Sequence, residues 1–179
     1  MSAPTQLRPH RLNVALLHPQ IAPNTGNIAR SCVATGTHLH LIRPMGFVLS
    51  DRNLRRSAMD YWERLKLTVH DDDAAFFGAV RATGGGLWLF SSRGERSVWD
   101  ARFNDGDWLV FGSETAGIPE NLLAAHPDRC LRIPQIAGER CLNLATAAGA
   151  ALYEALRQIH GPMVQSGSRT GSPLSGDAL

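Results

Sequence analysis

Three short segments of the chain combine polar side chains with glycine or proline. The first is PNTGNIAR, residues 23–30, in which Asn24 can cap a helix and Arg30 can contact a phosphate. Gly26 leaves room there for the close approach of another chain or a ligand. Taken alone, the segment fits a phosphate-contacting arginine or a capped helix with a surface arginine.

The second segment, FGSETAGIPENLL, spans residues 111–123 and places Glu114 between two glycines. A glycine-rich turn after a strand often holds phosphate, but a carboxylate in that turn repels phosphate. No Gly-Lys-Ser/Thr follows, which excludes a P-loop, and G-x-G-x-x-G is absent as well. The carboxylate therefore suits a cation, an arginine or a sugar hydroxyl.

The third segment spans residues 133–158 and leads through Asn143 into an alanine-rich helical pattern. Its small residues allow very close packing; they are Ala145, Ala147, Ala148, Gly149 and Ala151. Such a face fits tight helix contact within one domain, a dimer interface, or a chain threaded through a loop.

Apolar runs of strand length alternate with helical patterns between these segments. Strands are predicted at 12–18, 38–42, 66–70, 86–91, 107–112 and 130–134, and helices at 24–35, 51–65, 71–82, from 119, and 143–159. This order predicts an α/β domain with a mostly parallel sheet and helices on both faces. Because ligands bind beyond the carboxyl ends of such strands, we expect the site after His18, Ser91, Phe111 and Ile133.

Composition narrows the class of protein. The 179 residues fit one domain, which we place at 12–160 between a flexible lead-in (1–11) and a Gly/Ser/Pro-rich disordered tail (161–179). A formal net charge of +2 neither indicates nor excludes a nucleic-acid binder. Three cysteines without a C-x-x-C pair argue against a disulfide framework and a zinc cluster. No stretch approaches the roughly 18 apolar residues of a membrane span, so we expect a cytoplasmic protein.

Taken together, the segments resemble the motifs of the SpoU branch of the SPOUT RNA methyltransferases, over roughly residues 12–160. The motifs are PNTGNIAR, FGSETAGIP and IP…CLNLATA…YEALRQ, and the stretches PMGF, RNLRRSAMDYW and DGDWLVFG are similar to the subgroup that modifies the tRNA wobble nucleotide. The resemblance implies a C-terminal deep trefoil knot, S-adenosylmethionine as cofactor with S-adenosylhomocysteine as product, and no metal. It also implies 2′-O-methylation of tRNA at nucleotide 34, a cytidine or modified uridine. Alternatives are another tRNA or rRNA site, or a catalytically silent knotted RNA-binding protein.

The same resemblance assigns roles to individual residues. Arg30 would act on the ribose 2′-hydroxyl, oriented by Asn24 and Glu114, and Asn143 would complete the polar pocket. Because a guanidinium stays protonated, we expect Arg30 to stabilise the forming alkoxide and fix a phosphate rather than remove the proton. The residues expected to hold the cofactor are Phe90, Gly112, Ile133, Cys141 and Leu142.

The chain departs from the family pattern at four positions. Cys141 and Ala145 stand where serine is usual or common, Thr146 where some relatives have asparagine, and Ala116 where many have arginine. Cysteine keeps a weak donor and a similar size, so cofactor binding should persist. The changes at Ala145 and Ala116 bear on finer RNA contacts, not on the reaction class.

Partner contacts follow from the remaining patterns. Arg52, Arg55 and Arg56 fall on one face of a predicted helix, where they could track RNA phosphates or form a solvated basic face. The family implies a homodimer in which the arginine of one subunit faces the cofactor of the other. His38 and His40 share one strand face, a spacing that can bind a metal, but no third ligand is apparent. Positions in the core or at the sheet edge are therefore favoured over a metal site.

Overall fold

A computed structural model describes residues 7–49 and 59–161, which form one sheet covered by helices. Its strands are β1 (Asn13–Leu17), β2 (His38–Ile42), β3 (Leu67–His70), β4 (Leu87–Phe90), β5 (Arg96–Ser97), β6 (Trp108–Phe111) and β7 (Cys130–Arg132). They lie in the order β3-β2-β1-β6-β4-β7-β5, and every pair is parallel. The predicted α/β class with a mostly parallel sheet is confirmed. The sequence patterns do not predict β5, because two polar residues form no apolar run.

The described residues contain four α-helices. They are α1 (Ala22–Thr35), α2 (Asp73–Thr83), α3 (Glu120–Ala125) and α4 (Leu144–His160), with short 3-10 helices at Met59–Arg64, Val98–Asp100 and Pro127–Arg129. Most of the helical pattern predicted at 51–65 lies outside the described residues, and its described end is the first of these 3-10 helices. The helix predicted at 71–82 is α2, which begins at Asp73, and the Asp72 side chain caps it by accepting a hydrogen bond from the Ala75 N–H at 2.7 Å.

The central strands β1, β6 and β4 are buried on both faces, which explains why they are apolar at nearly every position. In β1, Val14 and Leu16 belong to the core cluster on one face, whereas Ala15 and Leu17 belong to the cluster on the other. The first cluster contains residues of α1 and α4, and the second contains residues of α2 and α3. The prediction of helices on both faces is therefore confirmed.

Helix α1 begins two residues earlier than the sequence predicts, so Asn24 is not its cap. The N-cap is Ile21, which makes no side-chain capping bond, and a proline occupies the first turn. Proline suits that turn because its fixed φ is helical and the turn needs no N–H from it. The prediction that Asn24 caps the helix is wrong: the residue is 7% exposed inside the first turn, and its amide bonds elsewhere. Gly36 ends the helix with φ 78°, as predicted.

Helix α4 packs its small residues against the rest of the fold. Ala148, Ala151 and Ala155 are at most 1% exposed and belong to the same core cluster as α1 residues. Close contact within the domain, one of the three open interpretations of this small face, is thus present. Asn143 caps the helix by accepting hydrogen bonds from the N–H groups of Ala145 at 2.8 Å and Thr146 at 3.4 Å.

The first described residues run over the ends of α1 and α4. The His10 ring bonds the Thr35 carbonyl at 2.8 Å, and Arg11 pairs with Asp105 at 3.0 Å. Residues 1–6 and 162–179 lie outside the described part, so the limits placed at 1–11 and 161–179 stay a prediction. Among the described residues, no helix has the length and apolar content needed to cross a membrane.

Candidate functional site

A cavity of about 450 Å³ opens at the carboxyl edge of the sheet, where the sequence predicts the site. The segments that follow β1, β4, β6 and β7 all contribute to it. The lining includes Ile21 and Asn24, the turn Ser91–Arg93, the loop Phe111–Ile118, Leu131–Ile133, Gln135, and Cys141–Leu144 with Ala147. Segments far apart in the chain therefore meet because parallel strands end at the same edge.

All five residues predicted to hold a cofactor line this cavity: Phe90, Gly112, Ile133, Cys141 and Leu142. The Phe90 ring stacks on the Phe111 ring at a centroid distance of 4.8 Å, which gives the cavity a flat apolar wall. Leu142 lines the cavity and is 39% exposed, so it adds apolar surface there. Such walls suit a planar apolar ring.

The loop after β6 approaches itself so closely that only glycine fits at its start. A Cβ on Gly112 would lie 1.9 Å from the Gly117 carbonyl carbon, well inside contact distance. Gly117 has φ 69°, and its N–H bonds the Ser113 carbonyl at 2.9 Å, which closes the turn. The loop therefore lines the cavity with a tightly folded backbone.

Three of the four predicted polar residues form one hydrogen-bond chain beside the cavity. Asn143 Nδ2 donates to Asn24 Oδ1 at 2.9 Å, and Asn24 Nδ2 donates to Glu114 Oε1 at 3.0 Å. The other Glu114 oxygen accepts from the Gln20 backbone N–H at 2.9 Å. A carboxylate accepts only, so it fixes the orientation of both amides and leaves Asn143 Oδ1 to cap α4.

Arg30, the fourth predicted polar residue, does not line the cavity of its own chain. It lies on the exposed side of α1, six positions after Asn24, or about 9 Å further along the helix axis. The predicted RNA-contacting residues Arg52, Arg55 and Arg56 lie outside the described residues.

The sequence patterns do not single out two charged residues that line the cavity, Arg93 and Arg132. Arg93 pairs with Glu120 and donates to the Ile118 carbonyl at 3.4 Å. Its position could have been found, because the site was expected directly after Ser91. Arg132 ends β7, again at the predicted edge.

The cysteines differ in their surroundings. Cys141 is exposed at the cavity, whereas Cys32 and Cys130 are buried. Burial raises the pKa of the Cys32 thiol to about 12 and also raises the pKa of Cys130. Cys141 is thus the accessible thiol of the three.

A second polar cluster lies inside the sheet and away from the cavity. His40 Nε2 bonds Asn13 Oδ1 at 3.2 Å, and His40 Nδ1 bonds His70 Nε2 at 3.0 Å. Burial, followed by the neighbouring His38 and His70, lowers the pKa of His40 to about 3. His40 is 5% exposed, which agrees with the predicted core position. In the described part of the chain, no group of three or more His, Cys, Asp or Glu is placed to hold a metal ion.

Comparison with known proteins agrees with this fold. Residues 11–153 match the SpoU rRNA Methylase family model. A tRNA (cytidine(34)-2′-O)-methyltransferase from Burkholderia cenocepacia is 44% identical over 147 residues, covering 82% of this chain and 94% of the relative. A solved structure described as giving insights into 2-OH methylation of C/U34 on tRNA is 48% identical with a TM-score of 0.79, covering 83% of this chain and 96% of that one.

A third similarity concerns a structure with a bound cofactor. The SpoU methyltransferase AviRb from Streptomyces viridochromogenes, solved in complex with AdoMet, is 29% identical with a TM-score of 0.74. The match covers 87% of this chain and 59% of that one. On the family match and the extent of the identities, the chain belongs to the SpoU methylase family.

Proposed function

We propose that this chain transfers a methyl group from S-adenosylmethionine to the ribose 2′-hydroxyl of nucleotide 34 of tRNA. The observation that carries the proposal is the convergence of all three motif segments on one cavity through the chain Asn143–Asn24–Glu114. Relatives at 41–44% identity over most of the chain carry the name of this activity. We expect such an enzyme to act in the cytoplasm, where its tRNA substrate is found.

The cavity fits the proposed cofactor in size and chemistry. Its volume of about 450 Å³ lies in the range of small-molecule sites. Phe90, Ile133 and Leu142 offer apolar surface for the adenine, and Gly112 and Gly117 contribute backbone rather than side chains to the lining. When bound, the cofactor supplies a methyl group on a positively charged sulfur.

The polar chain holds the site in position. Glu114 is tied to the segment before α1 through Gln20, and Asn143 is tied to α4 through its cap. A change in any link moves the first motif relative to the loop after β6, and misplacement of a reacting group by about 1 Å can reduce the rate about 100-fold. Asn24, Glu114 and Asn143 are therefore positioning residues in this proposal.

Arg30 is proposed to meet the 2′-hydroxyl in the cavity of a second subunit. The support is its position on the exposed side of α1, outside the lining of its own cavity. A guanidinium stays protonated, so Arg30 would stabilise the developing negative charge on oxygen and fix a phosphate. This role requires a homodimer, in which each cavity receives Arg30 from the partner subunit.

We also propose that the segment after β7 completes a trefoil knot. Two features support it: the loop 112–118 is closed tightly at Gly112 and Gly117, and α4 returns to pack against α1 and β6. Passage of residues 133–143 through that loop would place Cys141 and Leu142 over the cavity, where both lie.

The activity is tested by incubating the protein with labelled S-adenosylmethionine and either bulk tRNA or bulk rRNA, and mapping the methylated nucleotide. Label in the ribose of nucleotide 34 supports the proposal. Label at another tRNA or rRNA position would show that the enzyme methylates that position and not nucleotide 34. If no RNA accepts label although the cofactor binds, the result favours the alternative of a catalytically silent knotted RNA-binding protein.

The shared site is tested by co-expressing Arg30→Ala and Leu142→Glu subunits, each expected to be inactive alone, because Leu142→Glu disables the cavity and leaves the hydrogen-bond chain that positions α1 in place. A mixed dimer would contain one intact site, because the cavity of the first subunit receives Arg30 from the second. Random pairing should restore roughly a quarter of wild-type activity, since about half of the dimers are mixed. No recovery in mixed dimers isolated by two different tags would contradict the shared site.

A further inference from the structure

The turn after β4 is fixed against β7, and it aims Arg93 towards the opposite wall of the cavity. The Ser91 N–H bonds the Leu131 carbonyl at 2.9 Å, and the Gly94 N–H bonds the Ser91 carbonyl at 3.1 Å. A Cβ on Gly94 would lie 2.9 Å from the Leu131 carbonyl carbon, so the turn packs against the strand too closely for any other residue. The Arg93 N–H also bonds Ser91 Oγ at 3.2 Å.

The Arg93 guanidinium then bridges two walls of the cavity. It starts from the turn after β4 and contacts the other wall at the Ile118 carbonyl and at Glu120, the first residue of α3. These contacts use two of the five N–H donors of a guanidinium, which leaves three for a ligand. The Arg93 and Glu120 side chains are 55% and 74% exposed, so solvent weakens their ion pair and a second carboxylate can share the cation.

The charges that line the cavity in the described chain are Arg93, Arg132 and Glu114. S-adenosylmethionine carries two positive groups, the sulfonium and the ammonium, and one carboxylate. Only the carboxylate calls for a cation, and a guanidinium binds carboxylates in a planar, two-pronged geometry. Arg93 is held at the cavity by its contacts on the opposite wall, whereas the Arg132 side chain makes no hydrogen bond within the described residues.

We propose that Arg93 binds the α-carboxylate of S-adenosylmethionine and so selects a cofactor with an intact amino-acid group. The inference rests on the proposed function, because it concerns the cofactor of that same site. Glu120 is a positioning residue that keeps the guanidinium at the cavity rather than in solvent. The turn after β4 thus forms the polar end of the cofactor site, opposite in character to the apolar wall at Phe90.

Calorimetric titration with two ligands tests this assignment without any methyl transfer. The ligands are S-adenosylmethionine and decarboxylated S-adenosylmethionine, which differ only in the carboxylate. Arg93→Gln should weaken binding of S-adenosylmethionine about tenfold, or about 1.4 kcal/mol. Binding of the decarboxylated ligand should change less than about twofold, because it lacks the group that Arg93 contacts. Arg93→Lys should recover part of the affinity, since it keeps the charge but loses the planar fork.

Arg132→Gln is the matched control, because it removes the other cavity cation and is expected to affect both ligands equally. The assignment is overturned if Arg93→Gln weakens both ligands alike, or if Arg132→Gln rather than Arg93→Gln abolishes the preference for the carboxylate. Failure of the wild-type protein to bind either ligand would overturn the proposed function itself, and this inference with it. Thermal unfolding of each variant establishes that the folded protein is being titrated.

Discussion

Two hydrogen-bonded polar chains lie in this molecule, one at the edge of the sheet and one inside it. The chain Asn143–Asn24–Glu114 borders an open cavity and ends on a carboxylate. The chain Asn13–His40–His70 lies between strands, where each member is at most 8% exposed. The first joins the first turn of α1, the loop after β6 and the N-cap of α4, which only the fold brings together, and the second joins neighbouring strands.

The difference shows how a polar network at a site can be separated from one in a core. In the inner chain, both ends of the Asn13 amide have partners. Asn13 Nδ2 donates to the Arg11 carbonyl at 2.9 Å, and Asn13 Oδ1 accepts from His40. With Nε2 donating, His40 Nδ1 must accept from His70, so neutral rings satisfy the network. The outer chain instead contains a carboxylate and lines a cavity. We therefore expect changes in the outer chain to affect the reaction and changes in the inner chain to affect stability.

The largest effect is expected from Glu114→Gln in the outer chain. An amide still accepts from Asn24, but it cannot also accept from the Gln20 N–H, so the first motif shifts relative to the cavity. Methyl transfer to tRNA should fall about 100-fold. The free energy of unfolding, measured in urea, should fall by about 1 kcal/mol at most.

Glu139→Gln is the control, because Glu139 is exposed on the loop after β7 and does not line the cavity. It removes the same charge and should leave both the rate and the stability near wild type. Equal loss of activity in the two variants would show that net charge, not the hydrogen-bond chain, controls the reaction.

The second prediction concerns the inner chain, where we expect a loss of stability and little change in activity. His40→Ala should lower the free energy of unfolding by about 3 kcal/mol, because it empties a buried ring position and leaves partners on His70 and Asn13 unsatisfied. The activity of the fraction that remains folded should stay near wild type. His38→Ala, two positions earlier on the same strand face, removes a less buried ring and should cost less. A stable but inactive His40→Ala variant would contradict the division between the two chains.

The third prediction follows from the pKa of His40, which burial and its neighbours lower to about 3. In the unfolded state the histidine binds a proton near pH 6.5. Between about pH 6.5 and 3 the unfolded state therefore holds one proton more than the folded state, which stabilises the unfolded state as the pH falls. Stability is therefore complete above about pH 6.5 and falls as the pH drops, by about 1.4 kcal/mol per pH unit for this one group.

Urea unfolding at about pH 7.5 and pH 5.5 measures this decline, which for His40 amounts to about 1.4 kcal/mol between the two, because the full slope develops only below about pH 6.5. The lowered pKa values of His38 and His70 add to the decline in the wild type. His40→Phe keeps an aromatic ring without a titrating nitrogen, so its slope should be shallower. An unchanged slope in that variant would assign the acid sensitivity to other groups.

Much of the fold and the cavity could be predicted from the sequence, because the signals are local. Apolar runs mark buried parallel strands, and their carboxyl ends locate the site without any knowledge of distances. The role of Asn24 was mispredicted because a side-chain amide that caps a helix and one that bonds a distant carboxylate look alike in sequence. Its actual partners lie 90 and 119 positions away. The position of Arg93 at the cavity is not predicted for a similar reason. Its partners Ile118 and Glu120 lie on the opposite wall and come close to it only in the folded protein.

The smallest effect is expected from Cys141→Ser, where the chain departs from the usual family residue. Cys141 lines the cavity, and its side chain makes no hydrogen bond within the described residues. Serine keeps a similar size and a hydroxyl donor, so the dissociation constant for S-adenosylmethionine should change by less than about threefold. Cys130→Ser is a useful contrast, because the Cys130 thiol is buried against the Leu123 and His126 carbonyls and its replacement should affect stability instead. A large loss of affinity in Cys141→Ser, with stability unchanged, would show that the thiol itself contacts the cofactor and that this departure alters the site.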